Sequence, residues 1–168
     1  MGIIANYAAV AADTFSSELG ILSSKLPVLI TNPWKEVPKG TNGGVTVDGL
    51  LLGFIGSFAL VGVSIFCLDR YEPRLAMAVS TAELLILMGF LGTIIDSLLG
   101  ALVQSTVTDK RSGKVVEGQG GQRVKAVDGG SRVQIGRDLL TNNGVNFVMA
   151  AATSVLAMGV AWLLDLVL

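Results

Sequence analysis

The strongest constraint on this chain is the length of its uncharged apolar runs. Residues 50–68 (LLLGFIGSFALVGVSIFCL) and residues 147–164 (FVMAAATSVLAMGVAWLL) each contain no charged side chain. A helix needs about 20 mostly apolar residues to cross a hydrocarbon core about 30 Å thick, and both runs fit. A third run, residues 75–107, is longer and holds two acids, Glu83 and Asp96. It is either one tilted helix or a helix broken near Met88-Gly89-Phe90-Leu91-Gly92. A fourth, residues 3–22, is interrupted by Asp13, Ser16, Ser17 and Glu18. The chain reads as an all-α polytopic transmembrane helical bundle of about four spans, forming one integral membrane domain over residues 1–168. With 15% charged residues, against about 25% in average soluble domains, it has too little polarity for a free soluble monomer.

Several functions are excluded at once. Twelve basic and thirteen acidic residues give a net charge of −1, so no general affinity for nucleic acid follows. Histidine is absent, which removes Ser-His-Asp and Cys-His nucleophiles and histidine-ligated zinc. Cys67 is the single cysteine, so neither an internal disulfide nor a cysteine-rich metal site can form. Residues 3–22 lack a basic leader and carry acids within the apolar stretch, unlike a signal peptide.

The connections between runs set an expected topology. The turn at residues 69–74 is short, with Pro73 suited to the first turn of the next helix. Residues 25–48 carry Lys25, Lys35 and Lys39; residues 107–146 carry Lys110, Arg111, Lys114, Arg123, Lys125, Arg132 and Arg137. Four spans place both long loops on one side, which the positive-inside tendency assigns to the cytoplasm or its organellar equivalent. Residues 107–146 read as a small, partly β extramembrane loop. Its strand candidates are residues 124–127 and 132–135, joined by the turn chemistry of Asp128-Gly129-Gly130-Ser131.

Charges at membrane depth are costly and usually face the bundle interior, so Asp13, Glu18, Glu83 and Asp96 need reasons. Five helical steps leave Asp13 and Glu18 about 140° apart, sharing a site only if the helix breaks between them. Gly92, Asp96, Gly100 and Gln104 recur every fourth residue. Small residues let a neighbouring backbone approach, which brings Asp96 up against another helix. Close packing alone explains the glycines, but not Asp96 or Gln104. Gly49, Gly53 and Ser57 form a similar stripe. The loop Gly40-Thr41-Asn42-Gly43-Gly44-Val45-Thr46 is either a glycine-rich turn or an anion nest beside a helix N-terminus. It is no Walker A motif, because the GK[ST] ending is missing. Asn142 or Asn143 could cap the last span, which leaves two of the three asparagines Asn142, Asn143 and Asn146 unexplained. The Gly40 loop, Asp48, the end of the Asp96 helix, Gln104, the Asn142 cluster and Glu18 all fall toward the basic side. Carboxylates, amides and a glycine loop there could hold Mg²⁺ with a phosphorylated ligand. Phosphoryl transfer of that kind needs positioning and charge neutralisation rather than histidine.

The motifs ADTFSSELG (residues 12–20), PVLITNP (27–33), VPKGTNGGVT (37–46), GTIIDSLLGALVQ (92–104) and NNGVN (142–146) together resemble one family over nearly the whole chain. It is the family of integral membrane proteins related to transmembrane protein 19, to which the plant phytyl-phosphate kinase of tocopherol synthesis belongs. The resemblance implies phosphoryl transfer from CTP or another nucleoside triphosphate to an isoprenoid (phytyl or polyprenyl) phosphate held among membrane lipids. On that reading Asp13 and Asp96 are catalytic, and Asp13, Glu18 and Asp96 are the metal ligands for Mg²⁺. Lys39, Thr41, Asn42, Gly43, Gly44, Gln104, Asn142, Asn143 and Asn146 bind substrate or nucleotide. Family members are usually longer at the N-terminus, so the chain is expected to lack some of their spans. The competing expectation is a non-enzymatic membrane protein. It would be a transporter using Asp13, Glu83 and Asp96, or a regulatory scaffold.

Overall fold

The computed structural model describes residues 1–71, 79–116 and 130–164. Four helices form the membrane part: α1 (Gly2–Thr14), α2 (Val47–Tyr71), α3 (Val79–Val103) and α4 (Asn142–Leu163). The last three are long and apolar enough to cross a bilayer. A π-helical turn, Phe15–Leu19, extends α1. Together they reach about 27 Å at the usual rise per residue, a little short of the hydrocarbon thickness.

Residue size explains how tightly the helices meet. α1 buries an alanine face, Ala5, Ala8, Ala9 and Ala12. α2 offers Gly49, Gly53 and Gly56, and α3 offers Gly89 and Gly92. A Cβ placed on Gly92 would lie 2.5 Å from Ala9 Cβ, and one on Gly56 would lie 2.9 Å from the Ala11 carbonyl oxygen. Backbones therefore touch almost directly, which is how helices associate where lipid removes the hydrophobic drive between them. α1 and α3 form the central, parallel pair, and α2 and α4 flank it. Ser57 Oγ donates to the Ile86 carbonyl across α2 and α3 at 2.8 Å. Ser154 Oγ donates to the Gly2 carbonyl across α4 and α1 at 3.1 Å.

Two small antiparallel sheets cover one end. The first has the order β2-β1-β3, from β1 (Val28–Leu29), β2 (Asn32–Glu36) and β3 (Gly44–Val45). The second pairs β4 (Ser105–Asp109) with β5 (Arg132–Gly136). Both long connections thus lie at the same end of the bundle, as four alternating helices require.

One open alternative is decided and one boundary changes. The third run is one unbroken helix through Gly89 and Gly92, because those glycines meet α1 rather than bending α3. It ends at Val103, not residue 107, so the extramembrane element begins earlier than expected. The β-branched run Thr106-Val107-Thr108 prefers an extended chain, and the Val103 carbonyl accepts from the Leu139 and Leu140 N–H groups. The expected strand at residues 132–135 forms and pairs with β4; residues 124–127 lie outside the described residues.

The tight contacts predict a contrast among glycines. Gly92→Ala should destabilise the bundle by about 1–3 kcal/mol through overpacking, outweighing any gain of about 1 kcal/mol in helix propensity. Gly159→Ala, with open space around it, should be neutral or stabilising. Thermal unfolding in detergent measures both.

Candidate functional site

The α1–α3 contact places the two acids that most needed explanation. Asp13 follows Ala9 by four residues and Asp96 follows Gly92 by four, so in a parallel pair the acids meet one turn beyond the Ala9–Gly92 contact. Their carboxyl groups come within hydrogen-bonding reach of each other. Two carboxylates so placed repel unless a positive charge lies between them. Thr93 Oγ1, fully buried, donates to Asp13 Oδ1 at 3.4 Å. Asn146, in the amide orientation that satisfies both its ends, donates to Asp96 Oδ1 at 3.1 Å and to the Asn142 carbonyl at 3.0 Å. Asp96 lies seven residues before the end of α3, about 10 Å below the helix terminus.

Above this pair opens a cavity of about 530 Å³, within the range of small-molecule sites. Asp13, Glu18, Lys39, Thr41, Asn42, Gly43, Gly44, Asp96, Gln104, Asn142 and Asn146 all line it. The π turn gives the chain the local break that a shared cavity for Asp13 and Glu18 requires, and Ser17 Oγ donates there to the Asp13 carbonyl at 2.9 Å. Such turns inside helices are frequent at functional sites. Among the described residues no three acids gather closely enough to hold a metal ion, so Glu18 shares the cavity without joining the Asp13–Asp96 pair. Asn143 is exposed and absent from the lining. Glu83 is exposed on α3, far from the cavity in sequence and outside its lining.

Three N–H groups of the glycine loop are already engaged by the protein. The N–H groups of Thr41, Asn42 and Gly44 donate to the Pro38 carbonyl, Thr106 Oγ1 and the Thr41 carbonyl respectively. Asn42 Nδ2 donates to the Ser105 carbonyl at 2.9 Å, tying the loop to β4. Gly43 adopts φ +75°, and a Cβ there would sit 2.4 Å from Ala101 Cβ, so glycine is required by close approach to α3. Lys39 Nζ donates to the Ile21 carbonyl at 3.0 Å and to the Ser23 carbonyl. Asp48, in the first turn of α2, accepts from buried Ser23 Oγ at 2.6 Å. Thr46 Oγ1 caps α2 by accepting from the Gly49 N–H at 3.0 Å.

The cap of α4 also differs from expectation. Thr141 Oγ1 accepts from the Gly144 N–H at 3.2 Å, so neither Asn142 nor Asn143 caps the helix. That leaves the Asn142 side chain for Gln104, whose Nε2 donates to Asn142 Oδ1 at 3.5 Å. Thr93 and Thr106 were not singled out in the sequence. Thr93 had a readable signal, three residues before Asp96 on the same helix face; Thr106 had none.

The lining is acid-rich. Asp13, Glu18, Asp96 and Asp138 line the cavity, and Lys39 is the one base among the described lining residues. The other described loop bases lie outside the lining.

The chain matches the family described as "Integral membrane protein DUF92" over residues 1–154. It belongs to that family. The DUF92 chain is 42% identical over 160 residues to "Protein PGR" of Arabidopsis thaliana, covering 92% of its own length and 52% of that protein. It is 41% identical over 104 residues to "Uncharacterized membrane protein MJ0933" of Methanocaldococcus jannaschii, covering 62% of itself and 40% of that protein. It is 30% identical over 104 residues to "Protein VTE6, chloroplastic" of Arabidopsis thaliana, covering 62% and 29%. It thus spans about half, or less, of the length of these curated relatives. No solved structure matches it. Membership and the apolar helices together make this DUF92 chain an integral membrane protein.

The cap assignment is testable. Thr141→Ala should cost about 1 kcal/mol of stability, while Asn143→Ala should leave the thermal midpoint unchanged. Parallel melting curves in one detergent distinguish the two.

Proposed function

We propose that the protein of which this chain is a part transfers a phosphoryl group from a nucleoside triphosphate, CTP or ATP, to an isoprenoid phosphate. The single observation that carries this reading is the cavity at one end of the bundle, with the Asp13–Asp96 pair at its base. The resemblance to a family containing a plant phytyl-phosphate kinase adds the substrate class.

The donor set fits Mg²⁺. This ion prefers oxygen ligands and is usually held by one or two carboxylates with phosphate oxygens completing the shell. Asp13 and Asp96 would hold it, and Thr93 and Asn146 would fix their carboxyl orientations. The ion would neutralise phosphate charge, which an acid-rich lining with one lysine cannot do alone. Gln104 and Asn142, paired with each other near the mouth, would orient the nucleotide or the acceptor phosphate. Lys39 holds two carbonyls with two of its three donors, so one donor remains for a phosphate. Thr41, Asn42, Gly43 and Gly44 would act chiefly by shaping the wall, since the N–H groups of Thr41, Asn42 and Gly44 are engaged by the protein.

The second reading is a non-enzymatic transporter or scaffold, and the acid-rich lining favours cation binding on its own. Glu83 separates the two, because it lies outside the cavity. Purified full-length protein is given phytyl or geranylgeranyl phosphate, Mg²⁺ and CTP or ATP, and diphosphate product is measured. The kinase reading predicts product, a loss of about 100-fold or more for Asp13→Asn and Asp96→Asn, and full activity for Glu83→Gln. No product across several prenyl lengths, or cation flux abolished by Glu83→Gln, overturns it.

A further inference from the structure

The extramembrane sheet carries a large side chain with no packing role. Trp34, on β2, is 95% exposed. It sits in a bulge of β2, between the Asn32 and Glu36 pairings to β1, and its N–H donates to Asn32 Oδ1 at 3.3 Å. An indole has an apolar body and a polar N–H, so it favours a boundary where one side is apolar and the other wet.

The surroundings lie at such a boundary. β1 pairs on its other edge with β3, which ends two residues before α2 begins. Neighbouring strands are about 4.8 Å apart, so β2 runs roughly 10 Å from the point where α2 enters the bilayer. The Ser23–Asp48 hydrogen bond and the Lys39 contacts to Ile21 and Ser23 hold residues 21–23 at the level of the first turn of α2. There Leu22 is 76% exposed, and Ile21 and Leu26 are exposed as well. Exposed Lys25 and Lys35 flank this apolar surface, and Glu36 is the one acid between residues 21 and 39.

We propose that the β1–β2 hairpin and residues 21–26 form a membrane-surface anchor for the headgroup layer of the bilayer that the helices cross. Trp34 and Leu22 insert at the interface, and Lys25 and Lys35 engage anionic lipid phosphates. Two observations select lipid as the occupant: continuity with the entry point of α2, and the positive charge of the patch. β2 leads directly into residues 39–46 of the cavity wall, so the anchor sets that wall at headgroup depth.

The chain contains two tryptophans, so Trp162→Phe leaves Trp34 as its single reporter. This variant is reconstituted into phosphatidylcholine vesicles with and without phosphatidylglycerol. Trp34 emission is then read with acyl-chain-brominated lipids and with aqueous iodide. The expected result is quenching by brominated lipid, protection from iodide, and both effects increasing with phosphatidylglycerol. Lys25→Gln together with Lys35→Gln should remove that increase, each lysine shifting insertion by about fivefold. If Trp162→Phe folds poorly, the difference between the unaltered chain and Trp34→Ala gives the same reading. Full iodide access without lipid quenching overturns the anchor. So does shielding that disappears on dilution without lipid quenching, which assigns the surface to a second copy.

Discussion

The packing of Ala8 and Ala9 against Gly89 and Gly92 governs this structure. Lipid gives apolar helices no reason to leave it for one another, so association depends on close contact and polar bonds. A parallel pair of helices meeting at small residues holds a defined register. One turn farther along, that register decides which side chains face each other. Here they are Asp13 and Asp96, whose placement inside a bundle would be unfavourable without company. The same contact that stabilises the bundle therefore aligns the acids.

Around that pair the polar groups divide their work. Thr46 and Thr141 cap helices, Lys39 and Ser23 fasten the segment after α1, and Asn42 joins the glycine loop to β4. These bonds engage donors and acceptors that look available for a ligand in the bare sequence. What remains directed at the cavity is a smaller set, chiefly the two aspartates with Thr93 and Asn146, and the Gln104–Asn142 pair. Among the described residues the lining holds four acids and one lysine, so its charge is mainly acidic.

Much of this was legible beforehand, for specific reasons. The stripe Gly92, Asp96, Gly100, Gln104 follows helical spacing, and helical spacing survives into the structure. The convergence of the residue 40 loop, Gln104 and Asn142 followed from counting spans. The end of α3 was misplaced because residues 104–107 carry no charge to end a span, while Thr106 and Val107 are β-branched and favour a strand. The pairing of β5 with β4 had no signal in the sequence, because β4 lies more than twenty residues away. The cap of α4 was read from asparagines that a neighbouring threonine displaced.

The sequence by itself determined that this is a helical membrane protein, how its helices alternate, and that its polar residues collect at one end. Those properties depend on hydrophobic length and on the period of the helix, both of which are local. Only the tertiary structure decided that Asp13 pairs with Asp96 while Glu18 stands apart, that three N–H groups of the glycine loop are already engaged, and that Trp34 is exposed. Each of these depends on distances between segments remote in the chain, which are set by how closely alanine and glycine faces can pack.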